Sequence, residues 1–346
     1  MAMKTLGRTG MKVSRLCLGN MMFGSIGNPD HDDCVKIIHH ALDSGINFID
    51  TADVYSAGES EVITGKALAG VRRDSVILAT KCHFPITGLM ADAKPEPNTF
   101  GNSRRHIIRA CEDSLRRLNT DWIDLYQLHR PDLTVALDEQ LDAMNDLVKQ
   151  GKIRAFGCST FPAEHTMEAA WVADKRNLIP FSTEQPPYSI FVRWIERDLL
   201  PTCAKLDMGT LVWSPLNGGW LSGSYKKGAP KREEGRAKRN PANFDPEKSV
   251  NQRKLDALEK LEVIAAEAGL TLAHLAVAWT LQHPAVTSAI IGPRIMSHLT
   301  TIIGADEHVL AADVLDAIDA VVRPGSCVLP DESKWESPAL KAENRR

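Results

Sequence analysis

The stretch Ile46-Asn47-Phe48-Ile49-Asp50-Thr51-Ala52-Asp53-Val54-Tyr55 takes a largely apolar run up to an acid and sets a tyrosine five residues later. An apolar run closing on Asp reads as a buried parallel strand whose last side chain emerges at its C-terminal end. Tyr55 then sits on the loop just above. Two similar strand ends follow, Val76-Ile77-Leu78-Ala79-Thr80-Lys81 and Ile123-Asp124-Leu125-Tyr126-Gln127-Leu128-His129. An Asp, a Tyr, a Lys and a His thus fall at or just past the C-terminal ends of predicted parallel strands, where α/β barrels and open α/β sheets keep their chemistry.

Working outward, apolar runs recur near 15–19, 46–50, 76–80, 123–128, 153–158, 181–184, 209–213 and 286–291. Helical spacing fills the gaps between them. Val35-Ile37-Ile38-Ala41-Leu42 stops at Gly45, Leu137-Leu141-Met144-Leu147-Val148 at Gly151, and Leu258-Leu261-Ile264-Ala265-Ala268 at Gly269. Glycine is the favoured residue just past a helix end. Ile107-Ile108-Cys111-Leu115-Leu118 forms another apolar stripe. Eight strands alternating with helices predict a (β/α)8 barrel. A doubly wound sheet alternates too, but Leu18-Gly19-Asn20-Met21 lacks the G-x-G-x-x-G turn of a Rossmann dinucleotide site. Met3 to Val13 reads as a leading hairpin with Gly7-Arg8-Thr9-Gly10 as its turn. The connections 82–102 and 215–250 are long enough to lie over the C-terminal mouth. We read residues 1–325 as one barrel and 326–346 as a loosely structured tail.

Composition narrows the function. A chain of 346 residues, 43% hydrophobic and 25% charged, is that of a globular protein. A net charge of −3 gives no reason to expect nucleic acid or an anionic membrane as partner. The N-terminus lacks a signal-peptide core, and no run approaches a membrane span, so a cytoplasmic protein is expected. The seven cysteines are dispersed without a C-x-x-C pair, the pattern of reduced thiols. His31, His39 and His40 do not have the spacing of a metal site, and none is expected.

What chemistry do the strand-end residues suit? A tyrosine hydroxyl is a poor acid at neutral pH, and a neighbouring ammonium favours its anion. Lys81 is that neighbour, Asp50 holds it charged, and His129 donates a hydrogen bond to a carbonyl oxygen. The group suits protonation of an oxygen on which negative charge builds, as in hydride reduction of a carbonyl.

The chain closely resembles the aldo-keto reductases over about residues 1–325. The matching motifs are Gly45-Ile-Asn-Phe-Ile-Asp50-Thr-Ala-Asp-Val-Tyr55, Ala79-Thr-Lys81, Leu128-His129-Arg130-Pro131-Asp132, Gly157-Cys-Ser159-Thr160-Phe161 and Trp213-Ser-Pro-Leu216. Their shared order and spacing make the signal strong. The resemblance implies a (β/α)8 barrel reducing an aldehyde or ketone with NADPH, NADH being the alternative. It makes Tyr55 the general acid, Lys81 and Asp50 its tuning pair, and His129 the residue that orients the carbonyl.

By the same resemblance, Asn20, Met21 and Asp50 border the cofactor, and Ser159, Thr160 and Gln185 hold the nicotinamide carboxamide. The middle position is usually Asn, so Thr160 is a departure. Trp213 stacks on the nicotinamide, and Ser214, Pro215, Leu216, Asn217 and Gly218 meet the pyrophosphate. Ser224 stands where many relatives have a Lys, and Arg236 is the candidate to replace it. Gly292, Arg294 and His298 fall at the adenosine end. There Thr301 and Ile302 replace residues that commonly hydrogen-bond adenine. Met22, Phe23, His83, Phe84 and Trp220 are candidate substrate walls.

The segment Lys226 to Arg239 carries seven basic and two acidic residues, either a solvated loop or a lid over cofactor phosphates. No aromatic residues interleave with the charges, which argues against nucleic acid. The chain is also similar to the beta subunits of voltage-gated potassium channels, which share the barrel but carry Asn at position 129. A cofactor-binding regulatory subunit is therefore one alternative, and a reductase of nucleotide-linked keto-sugars is another.

Overall fold

The computed structural model describes residues 1–70, 73–87, 96–230, 237–238 and 240–345. After a hairpin of β1 (Met3–Thr5) and β2 (Lys12–Ser14), eight strands close into a parallel barrel. They are β3 (Leu16–Gly19), β4 (Phe48–Asp50), β5 (Ile77–Cys82), β6 (Ile123–Leu128), β7 (Ile153–Ser159), β8 (Thr183–Gln185), β9 (Gly209–Trp213) and β10 (Val286–Ile291). Each pairs with the next in sequence, and β10 returns to β3, with Ala289 opposite Leu16. Every predicted apolar run is a strand, and the alternation is that of a (β/α)8 barrel.

The period-two alternation of a strand sorts side chains between barrel interior and helix shell. Outward, Ile49, Leu78, Tyr126, Leu128, Phe156 and Val212 join one large core beneath the helices. Inward, Phe48, Ala79, Leu125, Ala155 and Leu211 form a separate apolar layer with Leu6 and Val13. Leu6 and Val13 come from the hairpin region, which plugs the N-terminal end. Gly7, at φ +50°, makes that seal possible: a Cβ there would lie 2.5 Å from the Ser182 carbonyl oxygen. Two residues further along the same strands, the inward positions become Asp50, Lys81, Gln127 and Trp213. The polar layer of the site is therefore the next floor above an apolar one.

Two of the helices around the barrel begin at a side chain that satisfies their first free amides. Asp30 accepts from the amides of Asp32 and Asp33 ahead of helix His31–Asp43, and Ser103 accepts from His106 ahead of Arg104–Leu118. Such caps are worth about 1 kcal/mol each. Helices Leu137–Lys149 and Ser249–Glu267 run into Gly151 and Gly269, both with positive φ. No single helix among the described residues is long and apolar enough to cross a membrane. All seven cysteines are free, six of them buried.

The segment read as a loose tail is tied to the barrel at several points. The Arg193 amide donates to the Ser326 carbonyl at 2.8 Å, and the Val328 amide donates to Phe191 at 2.9 Å. Lys254, buried on helix Ser249–Glu267, holds Glu332 at 2.5 Å. A partner that lies far away in sequence leaves no local signal, which is why composition alone made this segment look loose.

Candidate active site

At the C-terminal mouth, Lys81 is wholly buried and surrounded by oxygen. Its ammonium donates to Asp50 Oδ1 at 2.5 Å, to the Thr51 carbonyl at 2.7 Å and to the Tyr55 hydroxyl at 3.3 Å. The other oxygen of Asp50 accepts from Gln185 Nε2 at 2.9 Å and Gln127 Nε2 at 3.3 Å. Strand parity explains the convergence: Asp50, Lys81 and Gln127 each stand two residues beyond an inward apolar side chain on adjacent strands. Tyr55 begins a tight turn whose Ser56 and Ala57 have left-handed backbone, a strain of the kind that collects at functional sites.

Burial pulls the Lys81 ammonium down, but Asp50 and then Tyr55 outweigh it and leave its pKa above the ordinary value. For Tyr55 the balance falls the other way. Burial raises its hydroxyl and Lys81 only partly offsets this, so its pKa lies above the usual phenol value. The expected influence of Lys81 is present in sign; burial is larger. His129 is pushed well below an ordinary imidazole by burial first, then by Lys81, Arg130 and His83. At neutral pH it is uncharged. Its Nδ1 is buried without a partner, so Nε2 is the nitrogen left to face the mouth. Tyr55 and Phe84 both meet the His129 ring edge-on, at 5.7 and 5.0 Å between centroids.

These residues border a cavity of about 520 Å³. Asp50, Tyr55, Phe84, His129 and Arg130 line one part, with Ser159, Gln185 and Trp213 beside them. From Trp213 the wall continues through Ser214, Pro215, Leu216, Gly218 and Gly219 to Ser224, and includes Gly292, Arg294, His298, Thr301 and Ile302. Volumes of about 300–1,000 Å³ are usual for ligand sites. The wall fits a dinucleotide in kind: an aromatic ring, amide and hydroxyl groups near Tyr55, and then exposed backbone. Gly219 stands at φ +112° with open space where a Cβ would be, so its backbone is free to approach a ligand closely. Ser214, at φ +62°, turns its hydroxyl to accept from the Gly218 amide at 2.8 Å.

Among the candidate cofactor residues, Met21, Asp50, Ser159, Gln185, Trp213, Ser214, Pro215, Leu216, Gly218, Ser224, Gly292, Arg294 and His298 all reach this cavity. Three do not line it. Asn20 is buried and donates to Thr64 Oγ1 at 2.8 Å, with its own oxygen unpartnered. Thr160 is buried at φ +60° and accepts from Arg130 Nη1 at 2.6 Å. Asn217 turns away to Lys254, whose Nζ donates to its Oδ1 at 2.9 Å. Arg236 lies outside the described residues.

The candidate substrate walls divide similarly. Met22 and Phe84 line the cavity. Phe23 is instead wholly buried in the helix-shell core. His83 is held back by Asn102 Oδ1 at 2.9 Å. Trp220 lies in a stack with Tyr225, at 4.4 Å between centroids, and Phe244. It borders a smaller cavity of about 270 Å³ on the far side of Trp213, with Asn217, Glu332 and Lys334. Two residues with no role assigned from sequence also enter the site. Gln127 has the same strand parity as Leu125, a signal that could have found it. Arg130 follows His129 within the same motif.

The sequence matches the description "Aldo/keto reductase family" over residues 15–323. It is 38% identical to an uncharacterized oxidoreductase, YrpG, of Bacillus subtilis, over 95% of this chain and 98% of that protein. It is 35% identical to a probable voltage-gated potassium channel subunit beta of Arabidopsis thaliana, over 93% of this chain and 94% of that protein. A putative channel beta subunit of Schizosaccharomyces pombe is 34% identical, over 92% of each chain.

Proposed function

Since the chain belongs to the aldo/keto reductase family, we propose that it reduces an aldehyde or ketone to the alcohol with NADPH, Tyr55 acting as general acid. The observation that carries this reading is the Lys81 ammonium donating to the Tyr55 hydroxyl at 3.3 Å, beside His129, on the wall of the large cavity.

When bound, the reduced nicotinamide supplies the hydride. Ser159 and Gln185 are the side chains that would hold its carboxamide, and Trp213 the ring that would lie against it. The Ser214–Gly219 backbone would meet the pyrophosphate. Arg294 and His298, with the basic segment 226–239, favour the extra phosphate of NADPH over NADH.

Tyr55 keeps its proton at neutral pH because burial raises its pKa. It gives that proton to the carbonyl oxygen as negative charge builds there, and Lys81 steadies the phenolate left behind. Asp50 supports the charge on Lys81, and Gln127 and Gln185 hold Asp50 in place. His129, neutral, donates from Nε2 to the same oxygen. Removing one such proton donor typically costs about 10²–10⁴-fold in rate. Tyr55→Phe should lose reduction on that scale while NADPH affinity, followed by fluorescence titration, stays within about threefold. Near wild-type turnover in that variant would sink the assignment.

A second reading, a regulatory subunit that binds the cofactor, is favoured by the relatives named as channel beta subunits. His129 on the cavity wall, in place of the Asn of that subgroup, favours the enzyme. Consumption of NADPH and NADH with a panel of aldehydes, diketones and sugars separates the two. Turnover supports the reductase; tight binding without turnover points to the subunit, or to a narrow substrate such as a nucleotide-linked keto-sugar.

A further inference from the structure

Three lysine and arginine side chains among the described residues are buried, and each holds a carboxylate. Lys81 has Asp50 at 2.5 Å, Lys254 has Glu332 at 2.5 Å, and Arg193 has Glu196 at 2.9 Å and Asp319 at 2.7 Å. Half-buried Arg73 holds Asp124 at 2.7 Å, and Arg117 holds Glu61 at 2.6 Å. Arg15 directs its guanidinium at the carbonyls of Leu281, Val286 and Thr287 and feels the charge of Asp306.

Arg130 departs from this pattern, and it does so on the wall of the large cavity. One nitrogen, Nη1, donates to Thr160 Oγ1 at 2.6 Å and to the His129 carbonyl at 3.0 Å. Among the described residues no carboxylate lies within 4.0 Å of it, and neither Nη2 nor Nε has a hydrogen-bond partner. Its guanidinium carbon stands 5.8 Å from the Phe84 ring centroid, and Phe84 in turn lies against His129. After Tyr55, the group that acts most on its charge is Glu184, whose Oε1 accepts from the Phe161 amide at 3.1 Å. Partial burial lowers the pKa of Arg130, and Tyr55 and then Glu184 offset this only in part. A guanidinium on the cavity wall beside the reacting atoms, with one edge turned to no protein group, is placed to meet a charged group of the substrate.

We propose that Arg130 is a specificity-determining residue that takes the carboxylate of an anionic carbonyl substrate, an oxo acid whose aldehyde or ketone reaches Tyr55 and His129. The unoccupied edge formed by Nη2 and Nε presents the parallel N–H pair that matches a carboxylate. The cofactor's phosphates are not the intended partner. The groups suited to them, the Ser214–Gly219 backbone and Arg294, follow β9 and β10, whereas Arg130 follows β6 next to the proposed proton donor. The proposal rests on the reductase reading for the orientation of the substrate, and on Arg130's own surroundings for its charge.

Equilibrium binding separates the two. With and without NADP⁺, 4-carboxybenzaldehyde and 4-oxobutanoate are each titrated against their methyl esters by calorimetry, a measurement that requires no turnover. The wild type is expected to bind at least one acid about 10-fold or more tightly than its ester, the scale of a charge-assisted hydrogen bond. Arg130→Met should bring that ratio to about one. Arg130→Lys, which keeps a point charge without the planar fork, should leave it in between. Equal binding of acid and ester by the wild type overturns the proposal, as does a preference that survives Arg130→Met. An NADP⁺ affinity that falls while the acid-to-ester ratio holds would make Arg130 a brace for Thr160 alone, and overturns it too. If the acid is preferred but NADPH is never consumed with any compound of the set, the reductase reading fails and the anion site stands.

Discussion

Asp50→Asn removes one charge without changing shape, in a place where three donors converge. The carboxylate accepts from Lys81 at 2.5 Å on one oxygen, and from Gln185 at 2.9 Å and Gln127 at 3.3 Å on the other. Asparagine offers one oxygen and one NH2, so whichever way it turns, a donor faces a donor. Lys81, wholly buried, then loses its counter-charge and keeps only neutral acceptors, the Thr51 carbonyl and the Tyr55 hydroxyl among them. Breaking a buried pair by deleting one partner costs about 3–5 kcal/mol. The sign of the pH dependence also follows. In the wild type Lys81 has a raised pKa, so its contribution is fully present below the unfolded value of roughly 10.4 and is lost only above it. Without Asp50, burial dominates and the folded pKa drops below the unfolded one. The folded variant then binds fewer protons than its unfolded chain, and its stability rises with pH by up to about 1.36 kcal/mol per unit. Urea unfolding followed by tryptophan fluorescence, at pH 7 and pH 9, measures the gap to wild type. The expected gap is several kcal/mol at pH 7 and narrower at pH 9. A loss under about 1 kcal/mol, or a gap that stays constant, would refute the view that Asp50 chiefly neutralises Lys81.

Trp220→Ala should act on stability more than on substrate choice. The ring is 1% exposed and stacked on Tyr225, so its removal should cost about 3–5 kcal/mol by thermal unfolding; a stable variant with altered preference would return Trp220 to the substrate wall. Glu332→Ala should strand the buried Lys254 ammonium at a cost of about 3–5 kcal/mol, and adding Lys254→Met should recover much of that loss. Additive losses in the double variant would mean the two residues do not interact. Glu184 is pushed up to about 8 by burial, so the stability linked to its proton is present below its unfolded value of 4.5 and is lost as pH rises toward about 8. Glu184→Gln keeps an acceptor for the Phe161 amide and should gain on the wild type across that range in urea titrations; a pH-independent difference would exclude the effect.

Much of the site was legible because strand periodicity and motif spacing are local properties. Phe48 and Asp50 are two apart on one strand, as are Ala79 and Lys81. Once each strand is recognised, parity alone sends both polar side chains inward. The same rule reaches Gln127 from Leu125. Trp220 and Phe23 were less legible, since an aromatic residue in a mouth loop has no periodicity to say which way it faces. Asn217 illustrates the same limit: its sequence neighbours Ser214 and Gly218 reach the large cavity, while Lys254 and Glu332 draw its amide away.

From the sequence alone came the eight strands, their alternation with helices, the barrel, the placing of Asp50, Tyr55, Lys81 and His129 at its C-terminal mouth, and the family. These depend on short-range patterns that one chain displays in order. Tertiary structure alone decided how the charges are matched. It placed Asp50 between Lys81 and two glutamines, and let burial outweigh Lys81 in setting the Tyr55 hydroxyl. It also bound the C-terminal segment to Lys254 and set Arg130 on the cavity wall with no carboxylate of the described residues in contact with it. The reason is physical: the energy of a charge depends on everything within a few ångströms of it in space, and those neighbours come from strands and loops dispersed along the whole chain.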